Sequence, residues 1–198
     1  MSERPLHIFL ARHGETEWSL TGRHTGREDI PLTPAGEAAA RKLGARLRSR
    51  SFAAVFTSPL QRARRTCELC GFAGVAQVVP DLMEWDYGEY EGLRSAEIRA
   101  RRPDWRLFRD GCPGGESPRD VAVRADRILP LLRSAGGDVL VFAHGHFLRM
   151  LMSRWMNLVP EAAARFSLDS ASLSVLGLDP HSGDSVVDRW NDIAHLEQ

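Results

Sequence analysis

The chain has 198 residues, 43% of them hydrophobic, and 26 acidic residues match 26 basic ones for a formal net charge of zero. That length suits one compact domain with a sizeable core, and the balanced charge excludes a global field that would draw in nucleic acid or an anionic membrane. No apolar run approaches the ~20 residues that span a bilayer, and the polar start Met1 to Pro5 lacks the apolar core of a secretory signal, so the expected location is the cytoplasm.

In chain order, Leu6, Ile8, Phe9 and Leu10 read as a short buried strand that ends on Arg12 and His13, with Gly14 supplying freedom for a sharp turn. Pro34 to Arg50 has Ala38, Leu43 and Leu47 at helical spacing, Thr33 as N-cap and Glu37 in the first turn, and so predicts a crossover helix. Ala53 to Phe56 is a second strand, the Ser58-Pro59 turn follows, and Gln61 to Cys70 is a second helix. Val75 to Val79 is a strand stopped by Pro80. The stretch from Leu82 to about Glu116 changes character, with Trp85, Tyr87, Tyr90, Trp105 and Phe108 among acids and arginines, and reads as an inserted, partly helical cap. A helix starting at Ser117-Pro118 presents Val121, Ala125, Ile128, Leu129 and Leu132 on one face and stops at Gly136-Gly137. Val139 to Ala143 is a strand leading into His144-Gly145-His146, Phe147 to Asn157 a helix, and Ser172 to Leu178 and Ser185 to Trp190 are marginal strands. The alternation predicts a three-layer α/β/α sandwich with a mostly parallel central sheet and a small inserted cap, one domain over 1–198. In such a sheet ligands bind at the carboxyl ends of the strands, where all three polar signals fall.

The cysteines, Cys67, Cys70 and Cys112, are odd in number, which argues against a disulfide framework. Cys67 and Cys70 spell C-x-x-C but lack a second pair to complete a zinc site, and read as small half-buried helix residues. Among the cations, Lys42 is the only lysine.

The polar constellation fits a tetrahedral dianion. Arg12 and Arg62 supply guanidinium forks for phosphate oxygens, and His13 and His144 supply one imidazole to act as nucleophile and a second to donate a hydrogen bond. With no nucleophilic cysteine in a phosphate loop, His13 is the candidate for covalent catalysis through a phosphohistidine. A leaving alkoxide needs a proton, and Glu84 or Asp86 lies where partial burial among aromatics would raise a carboxyl pKa towards a useful range.

RHGETEW, GRHTGREDIPLT, SPLQRARRT, LMEWDYGEYEG, PGGES and HGH, in this order, resemble the histidine phosphatase superfamily, also called phosphoglycerate mutase-like, from about Leu6 to about Arg154. The resemblance implies that His13 is the nucleophile, that Arg12, Arg62 and His144 bind the phosphoryl group, and that Glu84 is the proton donor, with Asp86 in support. It further suggests substrate contacts from Ser19, His24, Thr25, Gly26, Trp85, Tyr87, Gly145 and His146. Ser19 departs from the asparagine that many relatives carry. Several of these positions have a second reading: His24 guards the pocket mouth or is a solvated loop residue, His146 lines the pocket or caps a helix, and Trp85 and Tyr87 select substrate or simply pack.

The function implied is a phosphatase of small phosphorylated metabolites, sugar phosphates among them, that needs no metal or other cofactor. The cap arginines Arg94, Arg99, Arg101 and Arg102 are candidates for contacting a sugar phosphate. A phosphoglycerate mutase shares the same catalytic set but usually carries a longer shielding insert. Two readings from other classes are a metal hydrolase built on H-x-H and a non-catalytic phosphate-binding or docking module. A homodimer through an edge strand is compatible with the pattern.

Overall fold

The computed structural model describes residues 6–197; Met1 to Pro5 and Gln198 lie outside the described residues, and with them the segment read for a secretory signal. Six strands form one sheet in the order β3-β2-β4-β1-β5-β6. The central strands are β1 (His7–Arg12) and β4 (Val139–Ala143), flanked by β2 (Ala54–Thr57) and β3 (Ala76–Val78), all four parallel. On the other margin β5 (Leu173–Leu178) and β6 (Ser185–Asp192) run antiparallel.

Strand alternation builds the two outer layers. Ile8, Leu10, Val139, Val141 and Ala143 point into one core, whereas Phe9, Ala11, Leu140 and Phe142 point into another. The second core is closed by α2 (Pro34–Leu47) and α3 (Gln61–Leu69), through Leu43, Leu47, Cys67 and Cys70. The first is closed by α6 (Pro118–Arg133) and α7 (Gly145–Trp155), and the expected cap joins the same core through Leu82, Trp85, Tyr87, Ile98, Trp105 and Phe108. The cap contributes two short helices, α4 (Ser95–Arg101) and α5 (Leu107–Asp110). Among the described residues no helix is long and apolar enough to cross a membrane.

The starts of α2 and α6 follow from side-chain capping. Thr33 Oγ1 accepts from the Gly36 N–H at 3.0 Å, and Ser117 Oγ accepts from the Asp120 N–H at 3.2 Å. The first strand runs through Arg12, as its apolar run implies, paired with β4 as far as Ala143. Several helical features differ from the sequence expectation. The helix expected to reach Arg50 ends at Leu47. The helix expected over Phe147 to Asn157 begins at Gly145, and Asn157 turns left-handed with φ 54°. A short helix α1 (Glu17–Thr21), too brief to show periodicity, is held by a reciprocal capping box between Thr16 and Ser19.

Gly14 is required for a different reason from the one its position suggests. Its φ is not positive; instead a Cβ there would collide with the Gly36 backbone at the start of α2. The glycine lets the helix N-terminus press directly onto the turn that carries His13.

Candidate active site

Arg12 is the last residue of β1, and His13 continues the ladder by donating its N–H to the Ala143 carbonyl at 3.0 Å. The His13 ring is almost wholly buried, and its Nδ1 lies 2.7 Å from the Gly14 carbonyl. A carbonyl only accepts, so Nδ1 carries the hydrogen and Nε2 keeps its lone pair. Burial first, then the charges of Arg62 and Arg12, hold this imidazole well below the ordinary histidine pKa. The ring is therefore neutral at physiological pH and presents a free nitrogen.

Arg62 enters from the first turn of α3, fully buried. It donates to the carbonyls of Thr25 and Gly26, each at 2.9 Å, to Glu28 at 3.0 Å, and through Nε to His144 Nδ1 at 3.2 Å. Thr66, one helical turn on, accepts from the Gly14 N–H at 3.0 Å and donates to the Arg62 carbonyl at 2.8 Å, so α3 and the His13 turn are tied together.

His144, at the end of β4, packs against His13 with ring centroids 5.2 Å apart. Guanidinium can only donate, so His144 Nδ1 accepts from Arg62, and the one hydrogen of the neutral ring sits on Nε2, 2.7 Å from Ser58 Oγ. Burial and neighbouring cations keep this ring neutral too. The free donor expected of His144 is thus engaged by Ser58, a residue the sequence reading treated only as part of a turn.

Glu84 reaches out of the cap to the N-terminus of α7. Its Oε2 accepts from the His146 N–H at 3.0 Å, and its Oε1 from the Phe147 and Trp85 N–H groups at 2.8 and 2.9 Å. The aromatic surroundings expected from the sequence are half of its environment; the other half is these backbone amides and the positive end of a helix dipole. Asp86, the other carboxylate considered, faces away, paired with Arg27 at 2.7 Å and accepting from the Gly88 N–H.

These groups surround a cavity of about 260 Å³ lined by Arg12, His13, Glu84 and Gly145, with Ser19, His24, Thr25, Tyr87 and His146. Arg12 donates to the Leu168 carbonyl through Nη1, while its buried Nε has no partner and lies beside Gly145, where a Cβ would come within 3.2 Å of it. An orphaned guanidinium N–H at a cavity is a donor waiting for an anion. Tyr87 Oη and His146 Nδ1 are 2.5 Å apart, and His24 stacks on Tyr87 at 4.7 Å. Burial lowers the His24 pKa to about 4 and raises that of Tyr87, so both are neutral.

Four of the expected site residues lie outside the lining. Arg62 and His144 form the wall behind it, Gly26 supports Arg62, and Trp85 is core: fully buried, its indole N–H donates to the Glu116 carbonyl at 2.9 Å. The cap arginines also stay outside. Arg94 pairs with Glu97, Arg99 donates to the Trp105 carbonyl and Arg102 to the Tyr90 hydroxyl. Conversely, Gly22, Arg23, Ser95, Arg149 and Leu168 line the cavity without having been anticipated. Arg149 had a readable signal, since it falls three residues after His146 on one helix; Leu168 had none. A larger groove of about 580 Å³ beside α2, α3 and β3 contains none of the residues expected to bind substrate. Among the described residues no group of three or more His, Cys, Asp and Glu is placed to hold a metal ion, and Cys67, Cys70 and Cys112 are buried free thiols.

Residues 8–193 match the family model of the histidine phosphatase superfamily, branch 1. The chain belongs to the histidine phosphatase superfamily. Among relatives, this histidine phosphatase is 40% identical over 183 residues to an acid phosphatase from Mycobacterium tuberculosis, covering 90% of each chain. It is 36% identical to a sedoheptulose 1,7-bisphosphatase from Saccharomyces cerevisiae, covering 76% of this chain and 67% of the yeast protein. Other relatives of this histidine phosphatase are named phosphoglycerate mutases. A solved structure of an open-reading-frame product from Mycobacterium tuberculosis superposes with a TM-score of 0.89 at 38% identity, covering 95% of this chain and 98% of that one.

Proposed function

We propose that this histidine phosphatase is a metal-independent phosphomonoesterase of small phosphorylated metabolites, sugar phosphates among them, working through a phosphohistidine at His13. The observation that carries this reading is the His13 ring itself: neutral, buried, fixed by the Gly14 carbonyl at 2.7 Å so that Nε2 keeps its lone pair, and lining one cavity with Arg12, whose Nε has no partner among the described residues.

In the first half-reaction Nε2 attacks phosphorus in line and the P–O ester bond breaks. The departing oxygen takes a proton from Glu84 in its acid form. The imidazole becomes cationic as the P–N bond forms, and the Nδ1–H to carbonyl hydrogen bond stabilises that charge. In the second half-reaction Glu84, now carboxylate, removes a proton from water; the oxygen bonds to phosphorus, the P–N bond breaks, and His13 returns neutral. Arg12 faces the phosphoryl oxygens and Arg62 adds its fixed positive charge from the wall behind them, the role that metal ions play in other phosphoryl transfer sites. His144 contributes by holding the Arg62 fork, and can turn its Nε2–H from Ser58 to a phosphoryl oxygen. The buried free thiols support the cytoplasmic placement.

The test is an acid-quenched reaction with a ³²P-labelled alkyl phosphate in the presence of chelator. Label on His13, inorganic phosphate as product, and loss of both in His13→Ala are the expected results. Phosphoryl exchange between the glycerate 2- and 3-positions without phosphate release would make the protein a mutase instead, and turnover abolished by chelator would remove metal independence.

A further inference from the structure

The place of Arg12 in the cavity is set by a segment far from it in sequence. Its backbone N–H donates to the Ser172 carbonyl at 3.2 Å, its Nη1 donates to the Leu168 carbonyl, and the Ala171 N–H donates to the His13 carbonyl at 3.0 Å. The stretch from Leu168 to Ser172 therefore fixes both the backbone that ends β1 and the reach of the Arg12 fork. Ala171 is left-handed, φ 56°, a conformation that a residue with a Cβ holds only where its surroundings force it.

The forcing groups come from β6 and the residues after it. Leu173 and Val175 of β5 pair with Asp192 and Arg189, so β6 carries one extra residue there, a β-bulge. Asn191 sits in that bulge, left-handed at φ 53°, and donates its N–H to Ser174 Oγ at 3.0 Å. Asparagine adopts this conformation more readily than most residues that carry a Cβ. Its side chain meets Asp169 at two points: Oδ1 accepts from the Asp169 N–H at 2.6 Å, and Nδ2 donates to Asp169 Oδ2 at 2.7 Å. The Asp169 N–H and the Leu168 carbonyl are the two ends of one planar peptide group, so fixing the first fixes the second. On either side, Trp190 Nε1 donates to the Ser167 carbonyl at 2.7 Å and His195 Nε2 to the Ala171 carbonyl at 2.9 Å. Arg46, which can only donate, engages His195 Nδ1 at 3.2 Å and so leaves the hydrogen of the neutral ring on Nε2.

We propose that Asn191 is a positioning residue for the phosphoryl-binding guanidinium: it holds one end of the Leu168–Asp169 peptide so that the other end, the Leu168 carbonyl, aims Arg12 and leaves its Nε for the anion. This rests on the phosphatase reading, in which Arg12 meets the transferred group. Asn191 does not line the cavity. The last strand of the chain thereby acts on the reaction through an arginine of the first, without touching substrate.

The experiment measures kcat and KM for p-nitrophenyl phosphate, and the inhibition constant of inorganic phosphate, in the full chain. Asn191→Gly keeps the left-handed backbone and removes the clamp. It lowers kcat/KM about 10- to 100-fold, as misplacing one binding group does, and weakens phosphate inhibition in step, with the chain still folded by circular dichroism. Asn191→Asp sets two carboxylates against each other and lowers kcat/KM likewise, and adding Asp169→Asn restores both hydrogen bonds and most of the activity. That rescue is a readout that a general packing role does not move, and it decides alone if the glycine variant does not fold. On an Arg12→Lys background, whose ammonium cannot make the same fork, Asn191→Gly lowers kcat/KM by less than about 2-fold more, since both changes act through one group. Unchanged kinetics in Asn191→Gly, no rescue in the exchanged pair, or losses that multiply on the Arg12→Lys background overturn the assignment and leave the phosphatase reading standing. Failure of the wild type to turn over p-nitrophenyl phosphate sinks the phosphatase reading itself and the positioning role with it.

Discussion

Replacing Glu84 by glutamine keeps one acceptor oxygen, enough for the Phe147 and Trp85 N–H groups, loses the acceptor for the His146 N–H, and removes the transferable proton, so its effect depends on the leaving group. Alkyl phosphates slow about 10²- to 10⁴-fold, whereas p-nitrophenyl phosphate, whose phenolate leaves unprotonated, slows far less; steady-state rates on both esters check this. Equal losses would take Glu84 out of the acid role. Ser58→Ala tests the orientation of His144. It strands the buried Nε2–H that now meets Ser58 Oγ at 2.7 Å, and costs about 1–3 kcal/mol of unfolding free energy, measured by urea denaturation. The residues with a fixed chemical signature were legible in sequence: the arginine and histidine ending β1, the arginine opening α3, the histidine ending β4. Ser58 and Thr66 were not, because a hydroxyl in a turn or helix shows its partner only once the chain is folded. Of the two readings open for Trp85, substrate selection and packing, the structure shows packing, its aromatic surface being drawn into the core.

At the scale of elements, the contact between the His13 turn and the first turn of α2 is a junction with no room for a side chain. Gly14→Ala drives a methyl group into the Gly36 backbone, and backbone cannot yield as a side-chain tip does. The expected loss is about 1–3 kcal/mol or more, seen as a lowered Tm, with activity falling as His13 shifts. Thr33→Ala, which removes the α2 cap 3.0 Å from the Gly36 N–H, costs about 1 kcal/mol and leaves the site geometry in place, so its effect falls on Tm with little change in kcat. The strands and long helices could be read from apolar periodicity because burial imposes it. Helix α1 could not, since five residues make little more than one turn and cannot repeat an apolar spacing, and its stability comes from reciprocal Thr16–Ser19 hydrogen bonds. The start of α7 was placed late because His144 and Gly145 carry no capping signature; the helix begins there because Glu84 satisfies its first amides from outside.

For the whole molecule, burial of neutral imidazoles makes stability depend on pH in a definite sense. His24 titrates at about 4 in the folded chain and at about 6.5 when unfolded, while His13, His144 and His146 are shifted in the same direction. Between those values the unfolded state binds more protons than the folded one, so stability is full above about pH 6.5 and falls as pH drops, by up to about 1.4 kcal/mol per pH unit for each such histidine. Denaturation midpoints measured from pH 7.5 to 4.5 should trace this decline, and His24→Asn should make it shallower by the share of one histidine; a pH-independent midpoint in the wild type would refute it. Glu84, the proposed proton donor, belongs to the cap by sequence but is anchored on helix α7, which also bears His146. Leu82, Trp85, Tyr87, Ile98, Trp105 and Phe108 weld the stretch to the core, so its freedom to vary lies in the exposed side chains between them. Exchanging those side chains, with Glu84 and the packed residues retained, should leave the pace of phosphorus chemistry largely intact, and that latitude offers a route by which one scaffold acquires many diets.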